Sequence, residues 1–238
     1  MTNTLHFACE SVAADGVRST RVLPFVPRRL IVAGWTGRNA AAIQHHIEEL
    51  QALGVPPPSS VPLYYRMGAA LLTQAAQIEA LGAQSSGEAE PTLFFADGEW
   101  WLTVGSDHTD RHVETYSVAV SKQLCAKPVA TAAWRWSDVA AYQDELQLSS
   151  RILEDGQWLD YQKGTLATIR PLAGLRDGIY DAVPDEGSIM TCGTLGALPN
   201  AKGEAIRPAA EMEITLHDPR LNRSIVHRYA VSVLEIVA

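Results

Sequence analysis

Three carboxylates around a predicted hairpin are the side chains in this sequence best suited to chemistry. Glu88 and Glu90 lead into one apolar run, Asp107 follows a second one, and the dipeptide Asp97-Gly98 separates the two runs. An Asp-Gly pair tolerates the positive φ of a tight turn, so the pattern predicts two strands joined there. Because residues two apart in a strand share a face, Glu88 and Glu90 are expected to point the same way, with Asp107 within reach of both.

Carboxylates that converge in this way predict a bound cation. They repel each other, and burial raises their pKa values unless a positive charge neutralises them. A hard divalent ion such as Mg²⁺ or Ca²⁺ takes oxygen ligands and accepts a set made only of carboxylates. The spacing therefore predicts a divalent-metal site. The alternative is a solvated strand edge with Asp107 as an ordinary turn residue.

A histidine and a glutamate on a predicted helix form a candidate general base. His46 and Glu49 lie three residues apart within a helix predicted over residues 39–53, so they share a face and can hydrogen-bond. A carboxylate that orients an imidazole makes it competent to activate water. The alternative is a surface ion pair, and His45 with Glu48 offers the same spacing one residue earlier.

Two further residues are candidates for contacts with an anion. Lys127 is flanked by proline and apolar residues, where a buried ammonium needs a carboxylate or an anionic substrate; the alternative is an exposed lysine. Thr194 follows Gly193, and the backbone and hydroxyl donors there can contact an oxyanion. The alternative is that the threonine is an ordinary turn residue. The sequence contains no G-x-S-x-G elbow, phosphate-binding P-loop or H-E-x-x-H motif, which argues against the common serine hydrolases, nucleotide hydrolases and zinc proteases.

The elements that must position these side chains are mostly short. A triple proline at residues 56–58 is the clearest break, and it divides N-terminal strands and the first helix over 1–58 from the rest of the chain over 59–238. Besides the first helix and the hairpin, the patterns predict helices over 138–153 and 165–175, strands over 30–34 and 187–194, and a closing hairpin from strands 211–216 and 224–236.

Composition limits the class of protein and of partner. The 238 residues are 47% hydrophobic and 19% charged, which is typical of a globular chain that buries a sizeable core. A formal charge of −8 argues against nucleic acid or an anionic membrane surface as the main partner. Three scattered cysteines, no signal-peptide pattern and no long apolar run lead us to expect a cytoplasmic protein without disulfides.

Taken in order, these segments resemble the fumarylacetoacetate hydrolase superfamily. The matching strings are Glu88-x-Glu90, Gly105-Ser-Asp-x-Thr-x-Arg-x-x-Glu114, Ser121-Lys-Gln-x-x-x-Lys127 and Gly187-x-Ile-x-Thr-x-Gly-Thr194. The strings Gly-Ser-Asp-His-Thr-Asp-Arg and Ser-Lys-Gln look most like the DUF2848 subgroup. The sequence departs from the superfamily pattern at Ser106, usually Asn, at Glu114, often Gln, and at Leu195, usually Pro.

The resemblance implies a fold, a metal site and a substrate site. The implied fold is α+β, a β-rich mixed β-sandwich roll with a few flanking helices and the metal at its mouth. Mg²⁺, or else Mn²⁺ or Ca²⁺, would be held by Glu88, Glu90 and Asp107. The segment 1–58 would carry a lid helix with the catalytic residues His46 and Glu49, and 59–238 would be a catalytic core with Lys127 as a further catalytic residue. The expected substrate-binding residues are Arg111, Glu114, Gln123 and Thr194.

The implied reaction is hydrolysis of a carbon–carbon bond in a 2-oxo or 2,4-dioxo acid, such as an acylpyruvate, through a metal-stabilised enolate. Decarboxylation, hydration or isomerisation of a 2-oxo acid uses the same enolate and stays open. A protein that binds a metal and a small carboxylate without turning it over also stays open. A homodimer is expected from the resemblance.

Overall fold

The computed structural model describes residues 3–52, 57–179 and 186–237, except for the side chains of His46, Glu49, Leu50 and Ala52. Seventeen strands lie in this part of the chain, β1 to β17 in order: Leu5–Val12, Arg18–Phe25, Arg29–Gly34, Leu63–Met67, Leu72–Thr73, Gln77–Leu81, Ser85–Ser86, Ala89–Ala96, Glu99–Ser106, Thr109–Asp110, Lys127–Pro128, Ala132–Arg135, Gln147–Glu154, Gln157–Thr165, Ser188–Thr191, Glu211–Asp218 and Arg223–Leu234.

The helices of the same residues are few and mostly short. They are α1 to α5, at Ala40–Ala52, Arg111–Glu114, Val118–Gln123, Trp136–Val139 and Leu172–Asp177, with 3₁₀ turns at Ala69–Leu71, Ala140–Glu145 and Leu166–Thr168. None of these helices has the length and apolar character that crossing a bilayer requires. Because strands predominate and the helices are few, the predicted β-rich α+β class is confirmed.

Two large sheets share the main core. The larger has eight strands in the order β2-β1-β12-β9-β8-β15-β3-β4, and the smaller has five in the order β14-β13-β16-β17-β6. Leu93 and Leu102 of the larger sheet and Leu148 and Ile214 of the smaller one are fully buried in a single apolar cluster. Burial of such side chains contributes about 1.5–3 kcal/mol each relative to exposure, so this cluster fixes how the site-bearing strands are held.

The hairpin predicted around Asp97-Gly98 is confirmed. Strands β8 and β9 pair antiparallel with Ala96 opposite Glu99, so only two residues form the turn. Asp97 and Gly98 have φ angles of 54° and 72°, the left-handed conformation that favours this dipeptide. The same register places Glu90 opposite Gly105 and therefore brings Asp107 beside the start of β8.

The helix predicted over residues 138–153 is wrong. Only α4 and one 3₁₀ turn follow Arg135, and β13 occupies the rest of the range. In β13 the buried residues Leu148, Ser150 and Ile152 alternate with more exposed neighbours, a period of two that belongs to a strand. A second Asp-Gly turn at Asp155-Gly156 then leads into β14. Tertiary pairing thus overrode a weak helical pattern.

The remaining predicted elements are largely present. The N-terminal strands, the strand at 30–34 and the closing hairpin of β16 and β17 are confirmed. Helix α1 begins as predicted, with the Asn39 side chain accepting from the Ala42 amide at 3.1 Å; its predicted stop at Gly54 lies outside the described residues. The helix at 165–175 is divided into a 3₁₀ turn and α5, because Pro171 precedes Leu172.

The proposed division near residue 58 stays a prediction. Strands β1, β2 and β3, which precede it, pair within the same sheet as β8, β9 and β15, which follow it.

Candidate metal centre

The three carboxylates that the sequence predicts to converge do so. One oxygen from each of Glu88, Glu90 and Asp107 lies within 4.8 Å of the others. Glu90 is 2% exposed, Asp107 is fully buried and Glu88 is partly buried. The backbone explains the convergence, because the Asp107 amide donates to the Glu88 carbonyl at 3.0 Å where β9 ends.

Two lysines neutralise Asp107. Lys122 donates to Oδ2 of the carboxylate, and Nζ of Lys127 lies 3.0 Å from Oδ1; both lysines are buried. Burial alone would raise the pKa of Asp107, but the two ammoniums hold it well below its ordinary value. Asp107 is therefore a permanent anion at the centre of the site.

Glu90 lacks such a partner. Its Oε2 accepts from the Gly193 amide at 2.9 Å, and no lysine, arginine or histidine among the described residues lies within 4 Å of its carboxylate. Burial, followed by the Asp107 charge, raises the pKa of Glu90 to about 8. Among the described residues Glu90 makes no ion pair, although the nearby Lys122 charge lowers its pKa in part. A buried carboxylate of this kind, next to two others, fits a hard oxygen-seeking cation.

Arg111 and Glu114 support the third carboxylate. The guanidinium lies 3.5 Å from Oε2 of Glu88 and donates to Glu114 at 2.9 Å and to the Ser86 hydroxyl at 2.7 Å. Short helix α2 presents both residues, and the Asp110 side chain caps it by accepting from two amides. The structure thus brings these two predicted substrate-binding residues to the site, on its Glu88 side.

The other predicted residues differ in what the structure shows of them. The Thr194 hydroxyl donates at 2.8 Å to the carbonyl of Ala89, the residue between Glu88 and Glu90. Gln123 is exposed, and its side chain accepts from the Gly68 amide at 2.9 Å, just before the 3₁₀ turn at Ala69–Leu71. The backbone of His46 and Glu49 lies in α1, but their side chains are outside the described part of the chain, so that pair stays a prediction.

Lys122 is a site residue to which sequence reasoning gave no role. Helix α3, capped by Ser117, carries it to Asp107, and its Nζ lies 5.8 Å from the centroid of the Tyr65 ring. The signal was present in the Ser-Lys-Gln string that carries the family resemblance. Asp107, the Tyr65 ring and burial together account for a lysine in this place.

His108 and Gln162 were also missed. Buried His108 contacts the Ser85 hydroxyl at 2.9 Å through Nε2 and the Tyr229 hydroxyl at 3.1 Å through Nδ1. Burial, then Lys127 and Arg111, lowers the pKa of His108 to about 3, so the ring is neutral at physiological pH. Gln162 reaches the site from β14, and nothing in the sequence near it marks a polar residue with that task.

Gly193 is expected to tolerate no side chain. Its φ is +95°, and a Cβ would overlap the Thr36 side chain. We expect Gly193→Ala to lower the free energy of unfolding by about 2–5 kcal/mol, from backbone strain and steric overlap together. Urea unfolding measures this loss. Gly196→Ala is the matched control, because a Cβ there meets nothing within 4 Å, and equal losses for both variants would contradict the prediction.

The sequence matches one family model. Residues 33–229 match DUF2848, a family described as protein of unknown function. No match was found among curated proteins.

Solved structures with the same fold come from the fumarylacetoacetate hydrolase superfamily. Fumarylpyruvate hydrolase from Pseudomonas aeruginosa, in complex with Mn²⁺ and pyruvate, is 13% identical with a TM-score of 0.56, covering 96% of this chain and 97% of that one. Yeast ynq8, a fumarylacetoacetate hydrolase family protein, is 15% identical with a TM-score of 0.56, covering 89% and 97%. A 2-keto-3-deoxyarabinonate dehydratase is 13% identical with a TM-score of 0.60, covering 92% and 78%. The chain belongs to the DUF2848 family and has the fold of the fumarylacetoacetate hydrolase superfamily.

Proposed function

We propose that this protein is a divalent-metal-dependent enzyme that cleaves a carbon–carbon bond in a 2-oxo or 2,4-dioxo acid of the acylpyruvate type. The observation that carries the proposal is the gathering of Glu88, Glu90 and Asp107 around one point, with Glu90 buried and in no ion pair with any described residue. The shared fold of a hydrolase that holds Mn²⁺ and pyruvate supports it. Mg²⁺ is the proposed native ion, with Mn²⁺ or Ca²⁺ as alternatives.

The three carboxylates would hold the ion. When bound, a divalent cation would supply Lewis-acid stabilisation of the enolate that remains after the carbon–carbon bond breaks. Asp107 has its charge state fixed by Lys122 and Lys127, and Glu90 is oriented by the Gly193 amide. The chain therefore presents the ligands already positioned, which lowers the cost of binding.

Charge favours an acidic substrate. A divalent cation would leave one negative charge on the three carboxylates, and the ammoniums of Lys122 and Lys127 then give the centre a net positive charge. Arg111 and Glu114 cancel each other. A substrate carboxylate is attracted to such a centre, and Lys127 can neutralise negative charge that develops during the reaction.

The proposed activation of water is assigned to helix α1. His46, oriented by Glu49, is the proposed base that takes a proton from water for attack on the distal carbonyl. Residues of the turn before α1 are held in place, because Arg38 donates its amide to the Thr168 carbonyl at 2.8 Å and the Arg170 amide donates to the Thr36 carbonyl at 2.8 Å. Arg111, Glu114, Gln123 and Thr194 remain the proposed substrate contacts.

Elimination of water is the second candidate reaction. The dehydratase acts on a 2-keto-3-deoxy sugar acid according to its name, and its fold is as similar to this chain as those of the hydrolases. Decarboxylation and isomerisation of a 2-oxo acid share the same enolate. A panel of acylpyruvates, 2-keto-3-deoxy acids and simple 2-oxo acids, each assayed with Mg²⁺, Mn²⁺ and Ca²⁺, distinguishes these reactions by their products.

The proposed base gives a separate test. His46→Ala is expected to lower turnover about 10²–10⁴-fold and to leave the Mn²⁺ dissociation constant unchanged, because a general base acts on water and not on the ion. His45→Ala, on the neighbouring helical position, is the matched control and should keep wild-type turnover. Stopped assays and Mn²⁺ titration followed by electron paramagnetic resonance measure the two quantities.

Two results would contradict the proposal, the first its general base and the second its enzymatic activity. One is equal turnover in the His46 and His45 variants, which would remove the assigned base. The other is binding of Mn²⁺ and oxalate without turnover of any panel compound, which would identify a metal- and carboxylate-binding protein. We also propose a homodimer, which sedimentation measures directly.

A further inference from the structure

We infer that Gln162 is a positioning residue that holds the strand bearing Glu88 and Glu90 in register with the Thr194 turn. The inference rests on the proposed function, since it concerns the same metal and carboxylate site. Gln162 belongs to β14 in the smaller sheet, whereas the metal-ligand strand β8 belongs to the larger one. Its side chain therefore connects two layers of the protein at the site.

Every hydrogen-bonding position of the Gln162 amide is used. Oε1 accepts from the Ala89 amide at 2.8 Å and from the Ser150 hydroxyl at 2.8 Å. Nε2 donates to the Thr194 hydroxyl at 2.6 Å and to the Leu195 carbonyl at 2.8 Å. A side-chain amide offers two donors and two acceptor lone pairs, so this residue, 1% exposed, is fully satisfied.

Gln162 and Thr194 hydrogen-bond the backbone amide and carbonyl of Ala89, the residue between the two glutamates. Gln162 accepts from the Ala89 amide, and Thr194, which itself accepts from Gln162, donates to the Ala89 carbonyl at 2.8 Å. Gln162, Thr194 and Ala89 thus form a closed ring of hydrogen bonds. Because Ala89 separates Glu88 from Glu90, the ring sets the distance and direction of both carboxylates.

Sheet pairing explains why a side chain is needed here. Strand β15 pairs with β8 only from Thr92 to Phe94, so at Ala89 the edge of β8 that faces β15 has no backbone partner from that strand. Gln162 and Thr194 supply the donor and acceptor that an additional strand would supply. A merely structural residue would fill this gap equally well, so the test must measure ligand placement separately from stability.

Three variants separate the contacts. Gln162→Met keeps the length of the side chain and removes all four hydrogen bonds. Gln162→Glu keeps an acceptor for the Ala89 amide and cannot donate two bonds to Thr194 and Leu195. Ser150→Ala removes only the hydrogen bond from the Ser150 hydroxyl to Oε1 of Gln162 and serves as the control. For each folded variant, electron paramagnetic resonance gives the Mn²⁺ dissociation constant, calorimetry gives the affinity of the Mn²⁺-loaded protein for oxalate, and thermal unfolding gives stability.

The expected pattern follows from the ring. Gln162→Met should weaken Mn²⁺ binding about 10–100-fold, the range for residues that orient metal ligands. Gln162→Glu should recover most of the Mn²⁺ affinity while still binding oxalate about fivefold or more weakly, because the Thr194 turn loses its donors. Ser150→Ala should match the wild-type protein in both binding measurements.

The outcomes that overturn the inference are distinct from those that overturn the function. If the wild-type protein binds Mn²⁺ and folded Gln162→Met binds it equally well, Gln162 is structural only. Should Gln162→Met fail to fold, Gln162→Glu decides, and wild-type oxalate affinity in that variant refutes the positioning role. Failure of the wild-type protein itself to bind Mn²⁺ removes the proposed function, and the inference with it.

Discussion

Glu90→Gln is expected to bind Mn²⁺ at least about 100-fold more weakly than the wild-type protein, because loss of a proposed direct ligand should exceed the effect of changing the residues that orient it. The substitution preserves shape, and the Gln carbonyl can still accept from the Gly193 amide. What it removes is a buried carboxyl whose ionised form has no ion-pair partner among the described residues. The metal-free variant should therefore unfold at no lower urea concentration than the wild type.

A control on the same hairpin makes the result specific. Glu99→Gln changes the same functional group at the turn end of β9, where Glu99 lies 3.7 Å from Arg21 in an exposed pair. Its Mn²⁺ affinity should equal that of the wild type. Retained affinity in Glu90→Gln, or equal losses in both variants, would refute the assignment of Glu90 as a ligand.

The pKa of Glu90 gives this prediction a pH dependence. In the metal-free folded protein the carboxyl keeps its proton up to about pH 8, whereas in the unfolded chain it loses the proton near pH 4.5. The stabilising contribution is thus fully present below pH 4.5 and is lost as the pH rises through about 8. Glu90→Gln should lack this slope, and Mn²⁺ affinity of the wild type should rise with pH over the same window.

Lys122→Met is expected to lower the free energy of unfolding of the metal-free protein by up to about 3–5 kcal/mol, the range for removing one partner of a buried ion pair, with Lys127 still paired to Asp107. Burial alone would lower the pKa of Lys122, yet Asp107 and Glu88 raise it above its ordinary value. Ion pairing therefore stabilises the charged form of Lys122 more than burial destabilises it. Urea unfolding at neutral pH with a chelator present measures the loss.

Lys127→Met is the informative comparison. Burial lowers the pKa of Lys127, and Asp107 only partly offsets that effect. Replacing this ammonium with an apolar side chain removes a burial cost together with an ion pair, so the loss of stability should be smaller than for Lys122→Met. A larger loss in Lys127→Met would show that the two lysines have the opposite order of importance for Asp107.

What the sequence could predict about the site was local. Glu88, Glu90 and Asp107 lie on one hairpin whose Asp-Gly turn has a recognisable chemistry, so their convergence followed from register alone. The same dipeptide at Asp155-Gly156 joins β13 to β14, yet the spacing of apolar residues before it favours a helix over residues 138–153.

The rest of the site depends on contacts between residues far apart in the chain. Gln162 meets Ala89 across 73 positions, and Thr194 meets it across 105. No pattern within either segment specifies the other, because the packing of the two sheets brings them together. Lys122 is closer in sequence, but only α3 and the burial of Asp107 distinguish it from an ordinary surface lysine.

The two-residue turn between β8 and β9 has a consequence for how the protein reaches its native state. Contacts that span few residues close quickly, so this hairpin can form before the segments carrying Gln162 and Thr194 are in place. Three like charges then meet early, and their repulsion slows that step unless something positive is nearby. Lys122, only 15 residues beyond Asp107, can supply part of that positive charge, and a divalent ion present during synthesis would supply more and speed the maturation of the chain.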